Sequence, residues 1–453
     1  MNTKKVPHYL AANKTDQIEY PMATIAVCML LIYLSPFVSL ALNYLAFAIC
    51  IYRIIRYDVS VFAIDYCVLA GVSYIFLTTG RVSLLAWLSI AAGLWYMIKN
   101  GIKATVSLVL LILLMDYMLV RMQGQVNTFV LCFSQLLLLF VLISEQRKEG
   151  IVQSAKAFCL SVLFSSGYAL LFRNAVQIRS LLGNEAAAYW GSSLTRFQGL
   201  LRDPNYYMTM VAISIALLVM LFINHHISWI PLLAGTGLLV LFGALSYSKT
   251  FVIVLALFAL LCVAMLFLKK NFLLGVGSLA VFALAAIFLS RTLFSVTLYR
   301  ITSTDSLYDL TTGRSKLLVA YFDDITQSVS SLFFGHGLSA EILERGTHNL
   351  FLEIVYYFGL VGLFLMIAYV ILLLRVLSQQ DRDLIHSNGV FRYTVLIVFI
   401  ALFCTLQGMT FSITYIMLYL SLLAAALTPR EMPAGRDQDR LKGRGVHERL
   451  AAD

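Results

Sequence analysis

The chain has 453 residues, is 60% hydrophobic and only 12% charged, and carries a formal net charge of +10. A soluble domain carries roughly 25% charged residues, so this composition excludes an ordinary soluble enzyme. Repeated apolar runs of about 17–25 residues match a bilayer core; a transmembrane barrel, built from runs of about ten alternating residues, is excluded with them.

Residues 1–20 are polar and hold Lys4, Lys5 and Lys14. Apolar spans are expected at 21–36, 37–52, 61–79, 82–98, 104–121, 126–144 and 153–172, which makes residues 1–172 an N-terminal bundle of about seven spans. The first of these is followed by others, so no cleavable leader is needed. A polar loop covers 173–205. Four further spans follow within 206–290, at 206–223, 229–245, 250–268 and 271–290. A long polar run from Arg291 to His348 leads into three last spans, at 349–374, 391–406 and 409–427. The tail, 428–453, is charged. The expected fold is therefore an all-α polytopic membrane protein of about 14 helices, with two long loops on one face.

The basic residues set its direction. Arg53, Arg56, Lys99, Lys103, Arg147, Lys148, Lys156, Lys269, Lys270, Arg375, Arg382 and Arg392 fall on one side together with both termini, while the short loops opposite hold only Arg81 and Arg121. Lys and Arg collect in short cytoplasmic loops, which puts both termini in the cytoplasm and both long loops outside. The net charge thus reflects topology, not nucleic-acid binding. All seven cysteines lie in apolar segments without metal spacing, so neither a disulfide nor structural zinc is expected. No internal repeat is evident.

The second long loop carries the richest chemistry. Arg314 stands in Thr312-Gly313-Arg314-Ser315, and its guanidinium can grip a phosphate through two parallel hydrogen bonds that Lys cannot copy; an ion pair with Asp305 or Asp309 is the plain alternative. Thr347-His348-Asn349 stands where the loop meets an apolar span. A neutral His is the usual general base near pH 7, and Asn349 can orient its ring or hold a substrate hydroxyl. Equally, Thr347 or Asn349 can cap the following helix with His348 a bystander. Gly335-His336-Gly337 reads as a tight turn, because no strand precedes it and no phosphate-loop Lys follows.

The first long loop ends in Arg196-Phe197-Gln198-Gly199-Leu200-Leu201-Arg202-Asp203-Pro204-Asn205. Asp203 and Pro204 are ordinary helix-start residues. Arg196 and Arg202 are cations on the outer side, which something anionic can hold there. Lys249, in Ser246-Tyr247-Ser248-Lys249-Thr250, is either a snorkelling interfacial Lys or a phosphate partner. Asp65 and Asp116 lie within or near spans and receive no role. His225-His226 reads as inert and Asp323-Asp324 as a solvated face.

Taken together, Arg196-Phe-Gln-Gly199 with Asp203-Pro204-Asn205, Ser246 to Lys249, Thr312 to Ser315, Phe334 to Gly337, and Thr347-His348-Asn349 followed by Tyr357-Phe358-Gly359-Leu360-Val361-Gly362 resemble the O-antigen polymerase and O-antigen ligase superfamily of membrane glycosyltransferases. The resemblance covers residues 190–375; Lys249 departs from it, since many relatives carry Arg there. It implies a metal-independent, cofactor-free transfer on the outer face of the bacterial plasma membrane, from undecaprenyl-diphosphate-linked oligosaccharide. In that picture Arg196, Arg202, Lys249 and Arg314 hold the diphosphate, His348 activates the acceptor hydroxyl, and Asn205 and Asn349 orient the substrate. A polymerase making O-antigen, capsule or exopolysaccharide is the leading expectation, with a chain-length regulator and a flippase as pathway partners. A ligase moving finished glycan to lipid A-core, and a transporter of lipid-linked sugars, are the alternatives.

Overall fold

The computed structural model describes residues 20–79, 82–101, 105–145, 148–182, 196–201, 203–268, 272–302, 314–338, 347–380 and 412–427. Among them no strand forms; a single antiparallel bridge joins Leu77 to Ser83. The helices are α1 (Met22–Leu34), α2 (Ala41–Arg56), α3 (Val59–Ala70), α4 (Leu84–Asn100), α5 (Val106–Val120), α6 (Val126–Glu145), α7 (Lys148–Phe172), α8 (Val176–Leu182), α9 (Pro204–Ile223), α10 (Trp229–Leu245), α11 (Lys249–Leu268), α12 (Phe272–Arg291), α13 (Ser295–Thr302), α14 (Arg314–Thr326), α15 (Val329–Phe334), α16 (Leu350–Gln380) and α17 (Ser412–Ala426). The fold is all-α. Among the described residues, Val126–Glu145, Glu149–Phe172, Pro204–Ile223 and Leu350–Leu377 are long and apolar enough to cross a membrane.

Helix ends follow side-chain chemistry. Asp58 caps α3 by accepting from Val61 N at 3.2 Å, and Thr105 caps α5 by accepting from Leu108 N at 3.2 Å. Each satisfies a backbone N–H that has no partner inside the helix. The centre of the molecule is α9, which is apolar on every side and buried from Tyr206 to Leu218 without a break. Such a helix is a core element rather than a surface one. It packs against α7, α10, α11 and α17, and α7 in turn packs along α3.

Small residues permit that last approach. A Cβ on Gly71 would stand 2.6 Å from Ser161 Oγ and 2.8 Å from Ser165 Oγ, the close helix contact that glycine and serine provide in membranes. Gly71 also ends α3. The expected span at 61–79 is therefore too long: α3 stops at Ala70, and the chain turns through 71–79 instead. Asn43 Nδ2 holds that turn by donating to Ile75 O at 2.8 Å and Leu77 O at 2.9 Å.

Two further expectations are altered. The run from Arg291 to His348 is not simply a loop, because it holds α13, α14 and α15. The span expected at 349–374 is broken: Gly359 has φ 66° and ψ −173° inside α16, leaving a short first half, Leu350 to Phe358, and a long second half. The expected span at 391–406 lies outside the described residues.

Candidate functional site

The residues singled out in the sequence fall into two groups. The first is built where the chain enters α9. Phe197 N donates to Leu245 O at 2.9 Å and Arg196 Nε donates to Ser246 O at 2.8 Å. The segment thus lies along the end of α10, and a cation there meets the carbonyls that a helix C-terminus leaves open. Lys249 opens α11 just beyond this turn, so Arg196 and Lys249 are brought into one neighbourhood although fifty residues of chain separate Arg196 from its acceptor.

Packing fixes the segment. The ring of Phe197 stands edge-on to Tyr207 at 5.2 Å and lies 6.2 Å from Phe242. Gly199 takes φ 59°, and a Cβ there would fall 2.4 Å from the Tyr207 ring; only glycine fits both demands. Tyr207 is anchored by a 2.7 Å hydrogen bond between its hydroxyl and Ser166 Oγ. Asp203 Oδ1 accepts from Asn205 N at 2.6 Å, with Pro204 in the first turn of α9, the helix start read from the sequence. Asn205 is half-buried in that same turn. Arg202 lies outside the described residues.

The second group is built around the break in α16. A break at Gly359 frees carbonyls of the preceding turn, which must find other donors. They do: His336 N donates to Tyr356 O at 2.8 Å, Gly337 N to Tyr357 O at 2.9 Å, and Tyr117 Oη to Phe358 O at 2.6 Å. Gly335-His336-Gly337 is therefore more than a turn. It is the piece of chain that replaces the missing helical hydrogen bonds. Gly335 and Gly337 have φ 71° and 84°, and a Cβ on Gly335 would lie 2.5 Å from the Tyr357 carbonyl carbon. The matching clash on the other side puts a Gly359 Cβ 2.2 Å from Phe333 O.

The first half of α16 starts at the His-Asn pair. Asn349 Oδ1 accepts from Phe351 N at 3.0 Å and Leu352 N at 3.1 Å, so its side chain is the cap. Thr347 Oγ1 ties the approach by donating to Asn349 O at 3.0 Å. His348, between them, has φ 48° and is half-buried. Arg314 is the first residue of α14, which packs on α16 through Tyr321 and Tyr356, their rings edge-on at 4.9 Å. Arg314 and His348 therefore belong to neighbouring elements, while Arg196 and Lys249 are held by α9, α10 and α11.

Sequence reasoning missed three features here. His336 Nε2 lies 3.4 Å from Asp324 Oδ2, and its ring lies tilted against Tyr356 at 4.9 Å, so Asp324 is not merely a solvated face. Arg121, treated only as a loop cation, reaches the break through Gly335. Between α2 and α3, Asp65 forms a two-pronged pair with Arg53 at 2.6 and 2.7 Å, joined by Tyr20 Oη at 2.6 Å. An acid within a membrane span seeks such a partner, which was the available signal. Among the described residues no three His, Cys, Asp or Glu side chains gather to hold a metal ion.

Comparison with known proteins adds no relative: no family model, no curated protein and no solved structure matches the chain.

Proposed function

We propose that the chain is a polymerase that joins undecaprenyl-diphosphate-linked oligosaccharide repeat units into a surface polysaccharide, on the outer face of the bacterial plasma membrane. The full protein in this reading has about 14 spans, both termini in the cytoplasm and both long loops outside. The observation that carries the reading is the capped, broken helix: a short half-helix begins at Thr347-His348-Asn349 and ends at Gly359, where a loop from the polar run satisfies its carbonyls. Irregular backbone at membrane depth is tolerated where it is buried in protein or lines a polar cavity. The positive end of a half-helix favours an anion.

In the reaction, the C–O bond between the anomeric carbon and the diphosphate breaks as an acceptor hydroxyl attacks. His348 takes the hydroxyl proton. Negative charge grows on the departing lipid diphosphate, and Arg196, Arg314, Lys249 and Arg202 stabilise it. Asn349 and Asn205 orient the substrate. The lipid diphosphate is already an activated leaving group, so the residues need no cofactor to supply one.

A second reading, transport of lipid-linked sugars, gains from the same break, since discontinuous helices are common at transporter binding sites. Purified protein given a synthetic lipid-diphosphate repeat unit in EDTA separates the two. A ladder of lengthening products is the expected outcome. Transfer only onto added lipid A-core makes the protein a ligase. No glycosidic product at all, with translocation in vesicles, overturns the enzyme reading.

A further inference from the structure

The helices α1 and α2 form an antiparallel hairpin across the short connection 35–40. Its open end is tied where Arg53 Nη1 donates to Pro21 O at 2.9 Å, and the same guanidinium is locked to Asp65. Within the hairpin two sulfurs meet. Cys28 Sγ lies 3.3 Å from Cys50 Sγ and 3.5 Å from Ala46 O. Both residues are buried, 0% and 3% exposed, and both are free thiols. They stand 22 positions apart, each in its own apolar run, so nothing in the sequence pairs them. Packing alone brings them together.

A disulfide needs about 2.05 Å between its sulfurs. The pair must therefore close by about 1.3 Å, which is small beside the reach of a side-chain rotation. Burial decides what can oxidise it. A reagent confined to water does not reach thiols with almost no exposed surface. The lipid phase is nearer. Val27 and Ile49, the chain neighbours of the two cysteines, line a groove of about 460 Å³ between the same two helices, together with Ala23, Thr24, Ala48 and Tyr52. Val27 is half exposed there. On a helix pair in a bilayer such an apolar groove opens to lipid tails, the phase in which quinones dissolve.

We infer that Cys28 and Cys50 form a reversible disulfide that staples α1 to α2, made by a lipid-soluble quinone. The two S–H bonds break and one S–S bond forms. The quinone accepts the two electrons and two protons and leaves as the hydroquinone. A cross-link acts chiefly by restricting the unfolded chain, so the oxidised protein melts at a higher temperature than the reduced one. None of this rests on the function proposed above.

The test counts thiols. Full-length protein is purified reduced, placed in phospholipid vesicles and treated with decylubiquinone, or with ferricyanide, which does not enter lipid. It is then unfolded, alkylated with a maleimide and weighed intact, and its peptides are mapped. Of the seven cysteines, decylubiquinone is expected to remove two from alkylation, and the map to join Cys28 to Cys50. One hydroquinone appears per protein, and dithiothreitol restores both thiols and the lower melting temperature. Cys67, Cys132 and Cys159, buried free thiols as well, stay alkylated. Cys28→Ala and Cys50→Ala are each expected to keep all their remaining thiols and to melt alike with or without quinone; Cys28→Ser replaces either that fails to fold. Seven alkylated cysteines after decylubiquinone, a cross-link between any other pair, or equal oxidation by ferricyanide each overturns the proposal.

Discussion

His348 holds a left-handed backbone, φ 48°, directly before the side chain that caps α16. Histidine tolerates this region better than most residues but at some cost, and glycine adopts it freely. His348→Gly therefore removes the imidazole without straining the turn. The expected result is a protein that melts at or slightly above the native temperature yet makes no glycan ladder; a full ladder shows that His348 is not the base. Asn349 separates in the same way. Asn349→Ala loses a cap worth about 1 kcal/mol, whereas Asn349→Asp keeps an oxygen for Phe351 N and Leu352 N. If the amide also holds substrate, Asn349→Asp keeps the melting temperature and loses chain length on a gel; if Asn349 is only a cap, both are kept. The Arg53–Asp65 pair is a question of stability alone. Both side chains are buried, 0% and 3% exposed, so Asp65→Leu leaves an unpaired charge and is expected to cost about 3–5 kcal/mol in thermal unfolding. The double variant Arg53→Leu with Asp65→Leu removes both charges and is expected to recover much of that loss.

The broken helix makes its own prediction at the scale of elements. Gly359 and Gly335 face each other's backbone across the break, and each has a positive φ. Ala at either place both clashes with main chain and strains the backbone, so the loop and α16 cannot keep their hydrogen bonds together. Gly359→Ala and Gly335→Ala are each expected to lower stability by several kcal/mol, or to prevent accumulation in the membrane. Gly237, inside α10, is the control: a Cβ there meets nothing within 4 Å. Gly237→Ala is expected to be neutral or to stabilise by up to about 1 kcal/mol. Equal melting temperatures for all three variants refute the claim that the break is held by this docking.

At the scale of the whole molecule, the arrangement across the membrane is testable without any substrate. Asn100, at the end of α4, and Gln327, just past α14, are both exposed. In a cysteine-free background, Gln327→Cys is expected to react with an impermeant thiol reagent added to intact cells, and Asn100→Cys only after the cells are opened. The reverse pattern inverts the topology and places both long loops in the cytoplasm, where no outer-face glycan assembly can use them.

The helices themselves were legible in the sequence because membrane spans are written locally. An apolar run of the right length with a capping residue at its start specifies a helix wherever it sits, and α9 begins at Pro204 behind Asp203 as that local chemistry dictates. The proximity of Arg196 to the turn before Lys249, the pairing of Asp65 with Arg53, and the docking of Gly335-His336-Gly337 on the broken α16 were decided only by the tertiary structure. Each joins groups far apart in the chain. A lone Gly359 in an apolar run does not announce a break, because the run remains apolar on both sides of it. The break exists only where a distant loop and Tyr117 supply the donors that the opened backbone requires.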